Sequence, residues 1–197
     1  MIIEGKTGDL VLSNGVVSNV KIDRRGSLVV RDALAQAVIE GRAFSCANQA
    51  AVATTAALAT TWTGLCVSNP TGSGKNMIVH EFGWSQTVAG SADGAVGLIL
   101  CTIAAPASNI TIYNRLSGGA GSSMIADDGA TIANPVLLGT YGSLGTLAVT
   151  GYGSQGPNVI KLDGSIVIAP GYTLATYSTK ATTASLIHHI VWEEVPA

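Results

Sequence analysis

Residues 65–86 read LCVSNPTGSGKNMIVHEFGWSQ, and this stretch sets the fold class. Leu65 to Ser68 closes an extended run. Asn69-Pro70-Thr71-Gly72-Ser73-Gly74 is dense in turn residues: Pro presets one backbone angle, and Gly supplies positive φ without a steric penalty. From Met77 to Gln86 the sequence alternates. Ile78, His80, Phe82 and Trp84 fall on one predicted face, with Met77, Val79, Glu81, Gly83 and Ser85 on the other. A period of two with aromatics on one face predicts a half-buried strand. The unit therefore reads as strand, tight turn, strand.

The same stretch contains a false phosphate loop. Gly72-Ser73-Gly74-Lys75 has the Gly-Lys pair. A working loop also needs Gly where Asn69 stands, a hydroxyl after the Lys where Asn76 stands, and a helix to follow. A strand pattern follows instead, so the segment reads as a turn with an exposed Lys. Gly151-Tyr152-Gly153-Ser154-Gln155-Gly156 matches a dinucleotide-binding pattern by letter. Pro157 and strand-like residues come next, so no helix N-terminus faces a pyrophosphate.

Outward from this centre, turn residues punctuate many short apolar runs. Ala95 to Ile103 reads as a buried strand ended before Pro106. Ser108 to Asn114, Thr131 to Leu138, Leu144 to Thr150, Val159 to Leu162, Ser165 to Pro170, Tyr172 to Ser178 and Leu186 to Val195 read as further strands. Asp163-Gly164 reads as a hairpin turn between two of them. Cys46 to Thr63 is rich in Ala and Thr, and propensity does not decide it. It reads as loop to Ala53, then a strand with Leu58, Thr60, Trp62 and Cys66 on one face. This spacing predicts an all-β sandwich or barrel.

Residues 1–42 read as an extended N-terminal arm with one short helix, and 43–197 as the β domain. In the arm, Asn14-Gly15 predicts a hairpin between Leu10-Val11-Leu12 and Val16-Val17. Asp32 to Gly41 predicts the helix, with Asp32 as its cap and Gly41 as its stop.

The turn Asn-Pro-x-Gly-Ser-Gly-Lys-Asn between strands resembles tailed-bacteriophage virion proteins that decorate or cement the capsid. The run from Ile168-Ala169-Pro170-Gly171-Tyr172 to Trp192-Glu193-Glu194-Val195-Pro196 is similar to the last strands of the same proteins. The resemblance covers about the last two thirds of the chain. It implies a β-sandwich of jelly-roll type, a homotrimer on the capsid exterior, and an arm gripping neighbouring major capsid protein subunits. It also implies a non-enzymatic role in the virion after assembly in the host cytoplasm.

Composition agrees with a β-rich assembly protein. Charged residues are 11% of 197, about half the usual share, while apolar residues are 47%. So little charge leaves few groups to solvate a free surface, and either buried subunit contacts or a neutral Ser/Thr/Ala surface accounts for it. The net charge is −2 with no basic stripe, which argues against nucleic-acid binding. Arg24-Arg25 is the one adjacent basic pair and a candidate contact to an acidic partner. Cys46, Cys66 and Cys101 lie in apolar contexts and read as reduced thiols acting as small hydrophobes. No apolar run is long enough for a membrane span, and the first residues do not form a signal peptide.

Chemistry is sparse. His188 and His189 alternate faces and cannot share a metal without distortion, so no metal or cofactor is expected. On a trimer axis one of them would form a ring titrating near neutrality. Asp127-Asp128 and Glu193-Glu194 read as solvated charges rather than a glycosidase pair. The candidate interface residues are Trp84, Tyr172 and Trp192, as aromatic anchors, with Arg24 and Arg25 in the arm. Trp84 also fits a core position. The alternative function is a receptor-binding or fibre-tip carbohydrate-binding module, using Tyr141 and Tyr152 in Gly-rich loops.

Overall fold

The computed structural model describes residues 9–11, 17–19, 32–55, 58–88, 93–145 and 158–197. Two compact units are present, Met1–Gln36 and Ala37–Ala197, against the expected boundary at 42.

In the first unit, β1 (Asp9–Val11) pairs antiparallel with β2 (Val17–Asn19), Val11 opposite Val17, in the expected order. The turn residues Asn14-Gly15, and Arg24 and Arg25, lie outside the described residues. α1 (Ala33–Ile39) starts where Asp32 accepts hydrogen bonds from the Leu34 and Ala35 N–H groups at 2.9 and 3.2 Å. It stops where Gly41, at φ +70°, closes a double C-terminal cap. Gly41 N–H donates to the Val38 carbonyl, and Arg42 N–H reaches back to that of Ala37.

Beyond the end of α1, the second unit is all-β and antiparallel. Its strands are β3 (Ala43–Ala47), β4 (Val52–Thr54), β5 (Thr61–Ser68), β6 (Lys75–Gln86), β7 (Gly94–Ile103) and β8 (Ile112–Asn114). They continue as β9 (Ile125–Leu144), β10 (Asn158–Ile168), β11 (Thr173–Ser178) and β12 (Thr182–Pro196). One six-stranded sheet runs β10-β6-β12-β3-β8, with β4 also on β12. The other four strands, β11-β5-β9-β7, close into a ring. Phe44, Met77, Phe82, Ile190 and Trp192 from the first sheet join Leu65, Leu98, Ala126 and Leu174 from the second in one core. The two sheets therefore form a sandwich.

β9 makes the ring possible. Its first part pairs with β5 as far as Thr131, and its second part, from Ile132, pairs with β7. Asn134 sits at φ +51° close to the changeover, a left-handed conformation that Asn tolerates and that turns the strand. Inside the ring lies a second, smaller core of Trp62, Cys66, Ile99, Cys101, Ile132 and Ala175. Trp62 and Cys66 share a side as expected, whereas Leu58 lies outside the strand and is exposed. The strand expected at Thr131 to Leu138 is part of a longer element, Ile125–Leu144, which also includes Asp127-Asp128-Gly129; the strand expected from Leu144 to Thr150 lies, after Gly145, outside the described residues.

The 65–86 stretch corrects its own reading. β5 and β6 are strands as expected, but they belong to different sheets and do not pair. The turn is a corner of the sandwich, not a hairpin. Asn69, 1% exposed, holds it. Its side-chain amide donates to the Lys75 and Ile168 carbonyls, both at 2.8 Å, and its backbone bonds with Gly171 and Tyr172. One side chain thereby ties the β5–β6 corner to the neighbouring β10–β11 corner.

The face assignment in β6 holds only in part. Across from β12, Val191 pairs with Glu81 and Trp192 with Val79, so His80 is an extra residue. This bulge reverses the alternation. Met77 and Val79 face the core before it; Phe82 and Trp84 face the core after it. Asp163-Gly164 is also a correction. Both sides of it pair with β6 in one direction, so it is a bulge within β10, with both residues at positive φ.

Candidate functional site

Aromatic residues were the expected anchors, and the structure separates them. Trp192 is fully buried and stacks on Phe44; Trp84 is 3% exposed and stacks on Phe82 at 5.5 Å between ring centres. Both are core residues rather than surface anchors. Their burial follows from the inward face of β12 and the bulge-shifted face of β6. Tyr172 is exposed on the β10–β11 corner and remains open to a partner. Tyr141, expected in a sugar-binding loop, lies in β9 with its ring edge-on to Phe82 at 6.2 Å. Burial raises its phenol pKa. Tyr152 lies outside the described residues.

His188 is wholly buried and stacks on Phe82, so it cannot form a surface ring on a symmetry axis. Burial, helped by the neighbouring His189, lowers its pKa to about 3. It shares its inward face with Leu186, Ile190 and Trp192. His189 points the other way. Its ring lies where a Cβ on Gly83 would be, 2.0 Å from the ring carbon.

The carboxylates correct the expectation of solvated charge. Asp127 is 1% exposed and accepts hydrogen bonds from the N–H groups of Ala107, Asp128 and Gly129. Glu194 pairs with Lys75 at 2.9 Å and accepts from Ser122 and Ser123. Glu193 pairs with Arg42 and lies 3.4 Å from His80 Nε2. Each is committed to holding strand ends or loops together. Among the described residues no cluster of three or more His, Cys, Asp or Glu side chains is placed to hold a metal. A cavity of about 320 Å³ opens beside Ser108, Asn109, Thr111 and Ser122 and contains no ionisable group.

The strand expected at Thr131 to Leu138 is present, but sequence reading missed the apolar surface it exposes. Val136, Leu137 and Leu138 are consecutive and exposed at 58, 41 and 39%. A regular strand would send alternate residues inward. Here the register against β7 slips between Leu98 and Ile99 and again between Leu100 and Thr102, leaving Leu138 without a direct partner. From Ala133 to Leu144 no strand among the described residues covers the edge away from β7. No charged residue occurs between Asp128 and Lys161 in the whole sequence. The outer edge of the other sheet differs: β10 carries Lys161 and Asp163 and is broken by its bulge. Charges and bulges are the usual guards of an exposed edge. An alternating search for half-buried strands could not find this surface, because its signal is the lack of charge over a long run.

Comparison with family models, with curated proteins and with solved structures finds no match to this chain.

Proposed function

We propose that the chain is a non-enzymatic structural protein that associates with copies of itself through β9, and that it decorates and cements the outer surface of a phage capsid as a homotrimer. The observation that carries this reading is the uncharged, aliphatic surface at Val136, Leu137 and Leu138. Contiguous exposed apolar residues of this kind mark protein contacts. These side chains are 39–58% exposed, so covering the remainder of each yields about half of the 1.5–3 kcal/mol of complete burial. Pro135 and the register slips disfavour a continuous added strand, so the contact is side-chain burial.

Strand order supports the jelly-roll form of the sandwich. Taking β3, β5, β6, β7, β9, β10, β11 and β12 as eight strands, one sheet reads first, eighth, third, sixth. The other reads second, seventh, fourth, fifth. That interleaving is the two-Greek-key arrangement of jelly rolls. Residues 1–31 then act as the arm that grips neighbouring capsid subunits.

Light scattering tests the proposal, on the full chain and on a form lacking residues 1–31, which keeps α1 and Arg42. A mass of three chains is expected in both forms, which for the full chain is three times 19.9 kDa. Monomers in both, together with no binding to capsids stripped of their decoration, would remove the proposal.

A further inference from the structure

The outer face of the six-stranded sheet carries a second surface, unrelated to β9. The register of β6, β12, β3 and β8 sets Glu81, Val191, Ser45 and Tyr113 in one row: Val191 pairs with Glu81 and Ser45, and Ser45 pairs with Tyr113. In the next row on that face, His189 lies between Gly83 and Ala47. Ser45 and Ala47 are small and with Val191 make a low floor, while the His189 ring lies over Gly83. Glu81, His189, Tyr113 and Arg115 stand around it, and together they line a cavity of about 190 Å³.

The polar groups here are unspent. Among the described residues, the side chains of Glu81, Tyr113, Arg115 and His189 enter no hydrogen bond or ion pair. Glu81 and Arg115 line one cavity yet do not pair with each other. Arg115 is exposed and Glu81 half-buried, whereas the buried Glu193 and Glu194 are paired with Arg42 and Lys75. Burial keeps His189 neutral by lowering its pKa; the Glu81 charge opposes that and the Arg115 charge adds to it. One anion and one cation leave the cavity with no net charge. Tyr113 is 55% exposed and presents a free aromatic ring at the rim.

We propose that this cavity binds a single neutral sugar ring, with Tyr113 against the apolar face of the ring and Glu81, Arg115 and His189 hydrogen-bonded to its hydroxyls. A hydroxyl both donates and accepts, so one ring satisfies the Glu81 acceptor and the Arg115 donor at once. A charged ligand would leave one of the two unmatched. The volume lies below the roughly 300 Å³ at which sites for drug-sized ligands begin, which suits one ring rather than a chain. The site does not depend on the virion reading.

The test is a titration of the isotope-labelled chain with methyl glycosides of neutral hexoses, followed at the His189 and Tyr113 ring resonances, with glycine as a zwitterionic probe. Saturable shifts with a millimolar Kd are expected from at least one glycoside. Tyr113→Ala and Glu81→Gln should each weaken binding about tenfold or more, with the unfolding temperature of the Tyr113 variant unchanged. Three results overturn the proposal: no saturable shift from any glycoside on the unaltered chain, equal affinity in the folded Tyr113 variant, or saturation by glycine in place of the sugars.

Discussion

At the scale of single residues, three positions concentrate the constraints. Asn69 donates to two buried carbonyls from different corners and accepts from the Ser73 hydroxyl at 2.5 Å. Asn69→Ala leaves those carbonyls without that partner and should cost about 2–3 kcal/mol in denaturant unfolding. Asn69→Asp should cost at least as much, since a carboxylate cannot donate to the carbonyls. Gly142 is required by close approach: a Cβ there would lie 2.0 Å from Trp84 Cζ2. Gly142→Ala should therefore destabilise by about 1–3 kcal/mol or more, as overpacking does. His188 is an acid-sensitive point. With its folded pKa near 3 and an unfolded value near 6.5, the unfolded chain binds the extra proton between those limits. Its contribution is intact above pH 6.5 and is lost as pH falls toward 3, with a slope of up to about 1.4 kcal/mol per pH unit. His188→Leu should flatten the stability profile between about pH 5 and 6.5, above the usual carboxylate range; an unchanged slope there would refute the assignment.

At the scale of elements, bulges rather than turns determine which side chains are inside. The extra residue at His80 lets β6 present Met77 and Val79 and then Phe82 and Trp84 to the same core. Deleting His80 restores even pairing, and the remaining residues then alternate regularly with Met77, Val79, Phe82 and Trp84 still on the core face. We expect the deletion, like His80→Ala, to retain a single cooperative unfolding transition; its loss in the deletion alone would refute His80 as the extra residue. In β9 the register slips have the opposite use, turning aliphatic side chains outward. Leu137→Lys should leave the monomer stability within about 0.5 kcal/mol of the parent yet shift the light-scattering mass to that of a monomer. β3 shows how an element escapes sequence reading. Ala43-Phe44-Ser45-Cys46-Ala47 has no β-branched residue, and it was not expected as a strand. It is a strand because β12 and β8 pair with its two edges and Phe44 and Cys46 enter the core. The short helix was legible, because Asp32 and Gly41 supply both of its ends within the local sequence.

At the scale of the whole molecule, two cores share one chain: the layer between the sheets and the plug inside the four-strand ring. The cysteines report on both. Cys46 belongs to the first, Cys66 and Cys101 to the second. All three are free and buried, as the apolar contexts predicted, and burial raises the Cys46 and Cys101 thiols to about 12. A thiol reagent at neutral pH should label none of them in the native protein and all three after unfolding; rapid labelling of Cys66 and Cys101 alone would show that the ring opens separately. The sequence by itself determined what depends on near neighbours: the all-β class, most strand positions, the cap and stop of α1, and the inward face of β12. Those follow from local propensity and a period of two, which need no knowledge of the partner. Tertiary structure alone decided the rest. It assigned β5 and β6 to different sheets, reversed the face of β6 at His80, buried Asp127, Glu193 and Glu194 beside their distant partners, and joined Glu81, Tyr113, Arg115 and His189 around one cavity. The physical reason is that a bulge, an ion pair or a row across four strands is fixed by residues far apart in the chain, whose meeting has no period to read.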